Sequence, residues 1–162
     1  MQVDVGDAPA KLGDLVSDLT RSTESERDCD RCSMRCAGTN TPLLECNNKV
    51  LFVQLLRADI GGRKKSHSVY VDFELNINGV MYVLNSVIVH EGKTPDEGHY
   101  YTLLRSGSNW VLADGLGSTF LGEIDIHTLN SAMKITAQDG TTRTVRILED
   151  ATFFVYQLAS GI

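Results

Sequence analysis

The sequence predicts an α+β domain dominated by antiparallel strands, and three observations carry that prediction. One segment near the start has apolar residues at helical spacing. From Lys49 onward, apolar runs of strand length follow one another. Turn-forming pairs, Asn78-Gly79 and Asp139-Gly140 among them, separate those runs. At 162 residues, 42% hydrophobic and 22% charged, the chain has the composition of one ordinary soluble globular domain. Five Phe, five Tyr and one Trp supply enough aromatic surface to anchor a core, unlike a disordered chain.

Taken in order, Val3 and Val5 suit a short strand end. Asp7 reads as an N-cap with Pro9 in the first turn. Leu12, Leu15, Val16 and Leu19 then share one face, so an amphipathic helix is expected over 8–20. Residues 21–48 are polar, cysteine-bearing and aperiodic, as a loop or a metal-organised knuckle would be. Val50 to Leu56 is a nearly continuous apolar run that stops at Arg57, the pattern of a central strand buried on both faces. After a turn-rich basic loop at 60–65, Val69, Val71, Phe73 and Leu75 alternate with Tyr70, Asp72 and Glu74 as a half-exposed strand. Asn78-Gly79 predicts a tight hairpin, because both residues tolerate positive φ, with a return strand from about 81 to 90. Residues 91–98 form a loop, strands follow at 99–105 and 109–113, and Asp114-Gly115-Leu116-Gly117 breaks the pattern. A short helix within 124–133, a hairpin at Asp139-Gly140 and a closing strand from Thr152 to Tyr156 complete the chain, which has no internal repeat.

Charge and cysteines bound the function. Residues 1–30 carry a net −5 and the remainder only −1, so no basic stripe exists to neutralise phosphates, which argues against a nucleic-acid binder. No apolar run approaches the roughly 18–20 residues of a membrane span, and the acidic start lacks a signal peptide's basic region, so an intracellular protein is expected. Cys29, Cys32, Cys36 and Cys46 fall within one short stretch, which in a reducing compartment favours metal over disulfides.

The segment from Gly98 to Asp114 holds a chemically suggestive pair. With Ser106-Gly107 as a two-residue turn, Arg105 faces Ser108, Leu103 faces Trp110, Tyr101 faces Leu112 and His99 faces Asp114. Opposed residues have Cβ atoms about 4.5–5.5 Å apart, within reach of a carboxylate–imidazole hydrogen bond. Such a bond fixes the tautomer of a general base, although the same pair can serve as a structural contact. His67 and His127 lie in polar surroundings and read as solvated, and His90 ends an apolar strand as a structural histidine.

At this hairpin the chain resembles a known family. Val87-Ile88-Val89-His90-Glu91-Gly92, then Gly98-His99-Tyr100, then Trp110 and Asp114 resemble the histidine box of ubiquitin-specific proteases, the papain-like cysteine peptidases that cleave after ubiquitin's C-terminal glycine. Cys29-Asp30-Arg31-Cys32 resembles the second Cys-x-x-Cys of the family's zinc-binding fingers, and Lys49 to Arg57 the strand after it. The strand with Phe153, Phe154 and Tyr156 resembles the one that ends the domain, and helix 8–20 fits the helix before the fingers. The resemblance implies 1–48 as a helix with a cysteine-rich fingers remnant and 49–162 as the sheet called the palm. It implies His99 as general base and Asp114 as its orienting partner. Gly98, Tyr100 and the loop 92–98 would line the narrow channel for ubiquitin's tail, a channel that selects a Gly-Gly tail by steric exclusion.

Departures from the family pattern set further expectations. No segment matches the Asn-x-Gly-x-x-Cys that carries the family nucleophile, so the chain alone is expected to be inactive, as the C-terminal half of a deubiquitinase domain without its helical thumb. The first Cys-x-x-Cys is absent too. Zinc needs four ligands; Cys29 and Cys32 would need Cys36 and Cys46, at irregular spacing, to complete a site. Ala58 stands where the family has an aromatic, and Gly115 where it has a second acid. Without the thumb, one palm face would lose its cover, so an oligomer or a partner-dependent chain is expected. The alternatives are a non-catalytic ubiquitin-binding module and a small metal-organised interaction domain.

Overall fold

The computed structural model describes residues 1–44, 48–115, 117–137 and 139–159. Strand β1 (Gln2–Asp4) runs parallel to a later strand and is followed by β2 (Ala10–Lys11) and helix α1 (Leu12–Asp18). The helix is shorter than its periodicity suggests, and Lys11 rather than Asp7 stands at its N-cap. The residues expected to make its first turn are committed elsewhere: β2 pairs in parallel with β6 (Val69–Tyr70). Leu12 and Val16 are buried, while Leu19 is left outward-facing past the helix end.

The stretch expected to be aperiodic contains a hairpin, β3 (Thr23–Asp28) against β4 (Arg35–Asn40), almost wholly exposed and, among the described residues, paired with no other sheet. Next comes β5 (Val50–Leu56). It buries one face only: Val53 and Leu55 point into the core, whereas Val50, Phe52 and Leu56 point to solvent, against the expectation of burial on both sides. The alternating run after the basic loop also breaks, because only β6 and β7 (Glu74–Ile77) are strand. Side chains take over the pairing between them. Asn130 bonds both the Val71 amide and carbonyl, and Asp72 Oδ2 accepts from the Gly13 amide at 3.1 Å.

The Asn78-Gly79 turn forms as expected, with φ of 52° and 84°, and returns the chain into the long β8 (Val80–Glu91). Strands β9 (His99–Ser106), β10 (Asn109–Asp114) and β11 (Gly117–Glu123) follow. The pattern breaks after Asp114 as expected, where Gly115 turns with φ +59°; Leu116 lies outside the described residues, and β11, from Gly117, is a strand not expected from the sequence. The short helix is α2 (Ile126–Leu129), capped by Asp125, whose Oδ1 accepts from the Thr128 amide at 2.7 Å. A second hairpin joins β12 (Ala132–Thr136) to β13 (Thr142–Arg146), then α3 (Ile147–Asp150) leads into β14 (Ala151–Leu158).

The main sheet has the order β1-β5-β14-β8-β9-β10-β11, with β7 also on β8. The last strand therefore sits centrally, hydrogen-bonded to both β5 and β8, instead of closing an edge. One sheet face carries Val53, Phe154, Val87, Leu103 and Leu112, paired in register and all buried. The other carries the row Phe52, Val155, Ser86, Leu104, Val111 and Phe120, and its large side chains stay open: Phe52 is 57% and Phe120 70% exposed. No helix among the described residues is long and apolar enough to cross a membrane.

Candidate functional site: a histidine held by a carboxylate

The pairing of His99 with Asp114 forms, by a different register from the one expected. The turn centres on Gly107 and Ser108, so Ser106 pairs Asn109, Arg105 pairs Trp110, Leu103 pairs Leu112 and Thr102 pairs Ala113. One further step sets Asp114 opposite Tyr101. The reason is local: Gly107 has φ +63°, and among the described residues Ser108 shows no positive φ, the pattern of a type II′ turn with glycine first. A Ser106-Gly107 turn of type I′ would push serine into positive φ. Moving the turn by one residue changes each partner by two, so the faces are unchanged. His99 and Asp114 become diagonal neighbours on one face, still within reach of longer side chains.

His99 Nε2 lies 2.5 Å from Asp114 Oδ1. The carboxylate accepts, which places the proton on Nε2 and leaves Nδ1 with its lone pair. The imidazole side chain is 53% exposed and its partner 26%, so the ring is accessible while the acid is sheltered. Glu91 stands across from His99 in the β8–β9 register.

Sequence reasoning missed Arg143. Its Nη1 lies 2.6 Å from Asp114 Oδ2, and its guanidinium stacks over the Tyr101 ring with Cζ 4.7 Å from the centroid. The Nη1 contact is a charge contact off the line of a hydrogen bond. The Tyr101 hydroxyl is likewise buried, without a hydrogen-bond partner among the described residues, and desolvation pushes its pKa well above the ordinary phenol range. Arg143 sits in a hairpin 29 residues beyond Asp114 in sequence, and no local motif announces the contact.

The loop before His99 is fixed at its base. Lys64 Nζ donates to the His90 carbonyl at 2.7 Å and to the Gly92 carbonyl at 3.0 Å, and it pairs with Asp150 at 2.6 Å. Arg57, at the end of β5, donates to the carbonyls of Ala151, Leu148, His67 and Lys65. Gly98 is required by packing: a Cβ there would lie 2.5 Å from both the Glu91 carbonyl and His90 Nε2. Tyr100, 55% exposed, stacks on His90 with centroids 4.4 Å apart. Leu56, Pro95, Tyr100 and Phe153 help line a cavity of about 270 Å³ beneath the loop.

His90 is a structural histidine, as expected; His127 is exposed and His67 partly so. Desolvation first and the Lys64 charge second hold the His90 pKa below its ordinary 6.5. The unfolded chain therefore takes up the proton first as pH falls, and stability is lost below 6.5. We expect His90→Phe, which keeps the stack on Tyr100, to lessen that acid-side loss. Urea midpoints measured from pH 7.5 down to 5 would check it; parallel curves for the two proteins would refute it.

Cys29, Cys32 and Cys36 lie on the β3–β4 hairpin as free thiols, and Cys46 lies outside the described residues. Backbone amides of Arg31 and Cys32, then the Cys32 thiol, lower the Cys29 pKa. No group of three or more His, Cys, Asp or Glu that could hold a metal occurs among the described residues.

Fold and dyad together define a class: a papain-like α+β domain with an imidazole oriented by a carboxylate at the rim of its sheet. The family model described as ubiquitin carboxyl-terminal hydrolase matches residues 12–133, and the chain belongs to that family of deubiquitinases. It is 30% identical over 126 residues to human ubiquitin carboxyl-terminal hydrolase 17-like protein 1, covering 71% of this chain and 24% of that protein. It is 26% identical over 129 residues to ubiquitin carboxyl-terminal hydrolase 4 of Arabidopsis thaliana, covering 72% of this chain and 35% of that protein. The chain thus spans about a quarter to a third of these relatives. Among solved structures, it superposes on the SAGA Ubp8/Sgf11/Sus1/Sgf73 DUB module bound to ubiquitin aldehyde with a TM-score of 0.59 and 17% identity, covering 99% of this chain and 36% of that one. A yeast SAGA DUB module gives a TM-score of 0.61 at 18% identity, covering 99% and 35%. These likenesses show the fold.

Proposed function

We propose that this chain is the part of a thiol-dependent deubiquitinase that supplies the general base, His99, and its orienting partner, Asp114. None of its four cysteines lies in an Asn-x-Gly-x-x-Cys segment, so the thiol comes from outside these 162 residues, and the chain alone does not hydrolyse. In the assembled site Nδ1 takes the thiol proton as sulfur attacks the carbonyl carbon of ubiquitin's last glycine, and the imidazolium then protonates the departing amine. Water completes the cycle by releasing ubiquitin from the thioester. Gly98, Tyr100 and the loop 92–98 line the channel for the tail. Zinc is not needed for this chemistry, and the protein works inside the cell, in cytoplasm, nucleus or both.

The observation that carries the reading is the His99 Nε2–Asp114 Oδ1 bond, which leaves Nδ1 accessible at the end of a glycine-bounded loop. The alternative is a module that binds ubiquitin without cleaving it, using the same channel residues. Titrating ¹⁵N-labelled ubiquitin with the chain tests both readings. Saturable shifts at ubiquitin's C-terminal tail are expected at micromolar to high-micromolar concentration. No saturable shift in that range would overturn both.

A further inference from the structure

We propose that Arg143 is a positioning residue that clamps Asp114 so that its Oδ1 stays on His99. The inference builds on the base role proposed for His99, and the residue responsible lies in β13, beyond the span 12–133 matched by the family model.

Four observations carry it. Asp114 divides its oxygens, Oδ1 to His99 and Oδ2 to Arg143, at 2.5 and 2.6 Å, so rotating the carboxylate would break both contacts at once. Arg143 is itself immobilised: its guanidinium lies on the Tyr101 ring, and Tyr101 is 2% exposed. The hairpin that presents it is braced from both ends. Val145 is fully buried, and Asp139 Oδ1 accepts from the Thr141 amide and hydroxyl at 2.9 and 2.6 Å. Finally, Asp114 borders a cavity of about 410 Å³ lined by Ser118, Thr119 and Thr142 as well as Arg143. Without the guanidinium, that polar space competes for the carboxylate.

Two carboxylates flank His99, since Glu91 stands across from it in the neighbouring strand. Of the two, Asp114 bonds the ring among the described residues, and it is the one that a cation ties down. A fixed acceptor keeps the proton on Nε2, leaving Nδ1 to serve as base. An acceptor free to rotate would hold the ring for only part of the time.

The test needs no hydrolysis and uses the 162-residue chain. In ¹⁵N-edited spectra of histidine-labelled protein, a slowly exchanging imidazole N–H is expected for His99, assigned by its loss in His99→Gln. In Arg143→Gln that resonance should vanish, or exchange at least tenfold faster, while the amide spectrum keeps its dispersion. Arg143→Lys, which retains a cation, should restore it. A role confined to hairpin packing would perturb amides around β13 and leave the imidazole N–H in place. Should Arg143→Gln unfold, Arg143→Met keeps an aliphatic cover on the Tyr101 ring and gives the same readout. Persistence of the N–H, unchanged, in a folded Arg143 variant would overturn the proposal, as would its absence from the unmodified chain. A chain that shows the N–H yet binds no ubiquitin counts against the deubiquitinase reading and supports the clamp.

Discussion

Replacing Arg57 with methionine is expected to cost the fold roughly 3–5 kcal/mol, a large share of the about 5–15 kcal/mol that a domain has to spare. Arg57 is 5% exposed and serves four carbonyls: Ala151 and Leu148 around the start of β14, and Lys65 and His67 on the basic loop. Burial draws its pKa down to about 10, so it remains a cation at neutral pH, and those charge-assisted bonds offset its desolvation. Methionine fills much of the volume and leaves the acceptors dry, each at about 1–3 kcal/mol where water does not replace the guanidinium. Lysine does not rescue, because one ammonium cannot reach four carbonyls spread over two segments. The consequence extends to the site. The loop that Arg57 anchors also carries Lys64, which holds the His90 and Gly92 carbonyls at the base of the segment leading to His99. Urea denaturation reads the effect directly. A loss below about 1 kcal/mol would mean that water replaces the guanidinium and that this network is not what joins the sheet to the loop.

How much of this was legible in the sequence follows the range of each interaction. Turns and their flanking strands were, because Asn78-Gly79 dictates its own geometry through positive φ. The His99–Asp114 pair was legible despite a wrong turn, since a one-residue shift of the turn preserves the face on which each residue lies. Helix α1 was overestimated because Ala10 and Lys11 pair with Val69 and Tyr70, a competition invisible in a local window. Burial of β5 was misjudged for a related reason. An unbroken apolar run states that both faces avoid water and does not state whether this chain supplies the cover. Arg143 and Lys64 were illegible altogether: each reaches its partners by long-range topology, and neither sits in a pattern.

That uncovered face leads to the second large expected effect: the chain by itself should self-associate and bind a hydrophobic dye. Its apolar row runs across the sheet from Phe52 through Val155, Leu104 and Val111 to Phe120, with Leu56 and Tyr100 beside it. Five of these large side chains are 39–70% exposed. Covering a Phe or Leu gains about 1.5–3 kcal/mol for a side chain that starts fully exposed, so half-exposed residues contribute about half of that each. Summed over the row, the gain competes with the 4–15 kcal/mol that association costs in lost freedom. Contiguous patches above a few hundred Å² are uncommon on monomers and mark interfaces. Here the patch is part of the sheet itself, with β-branched and aromatic side chains on a rigid surface, so little ordering entropy opposes docking. The resemblance to ubiquitin-specific proteases implies a helical thumb over one palm face, and a second copy is the nearest substitute cover for this row in a purified sample. Light scattering coupled to size exclusion should give a mass above 17.8 kDa that rises with loading concentration. Phe52→Ser with Phe120→Ser should shift the chain to monomer and cut dye binding several-fold, with little change in unfolding midpoint because neither side chain belongs to the buried core. A concentration-independent monomer that excludes the dye would show that the row is too polar at Ser86, or too interrupted, to act as one surface.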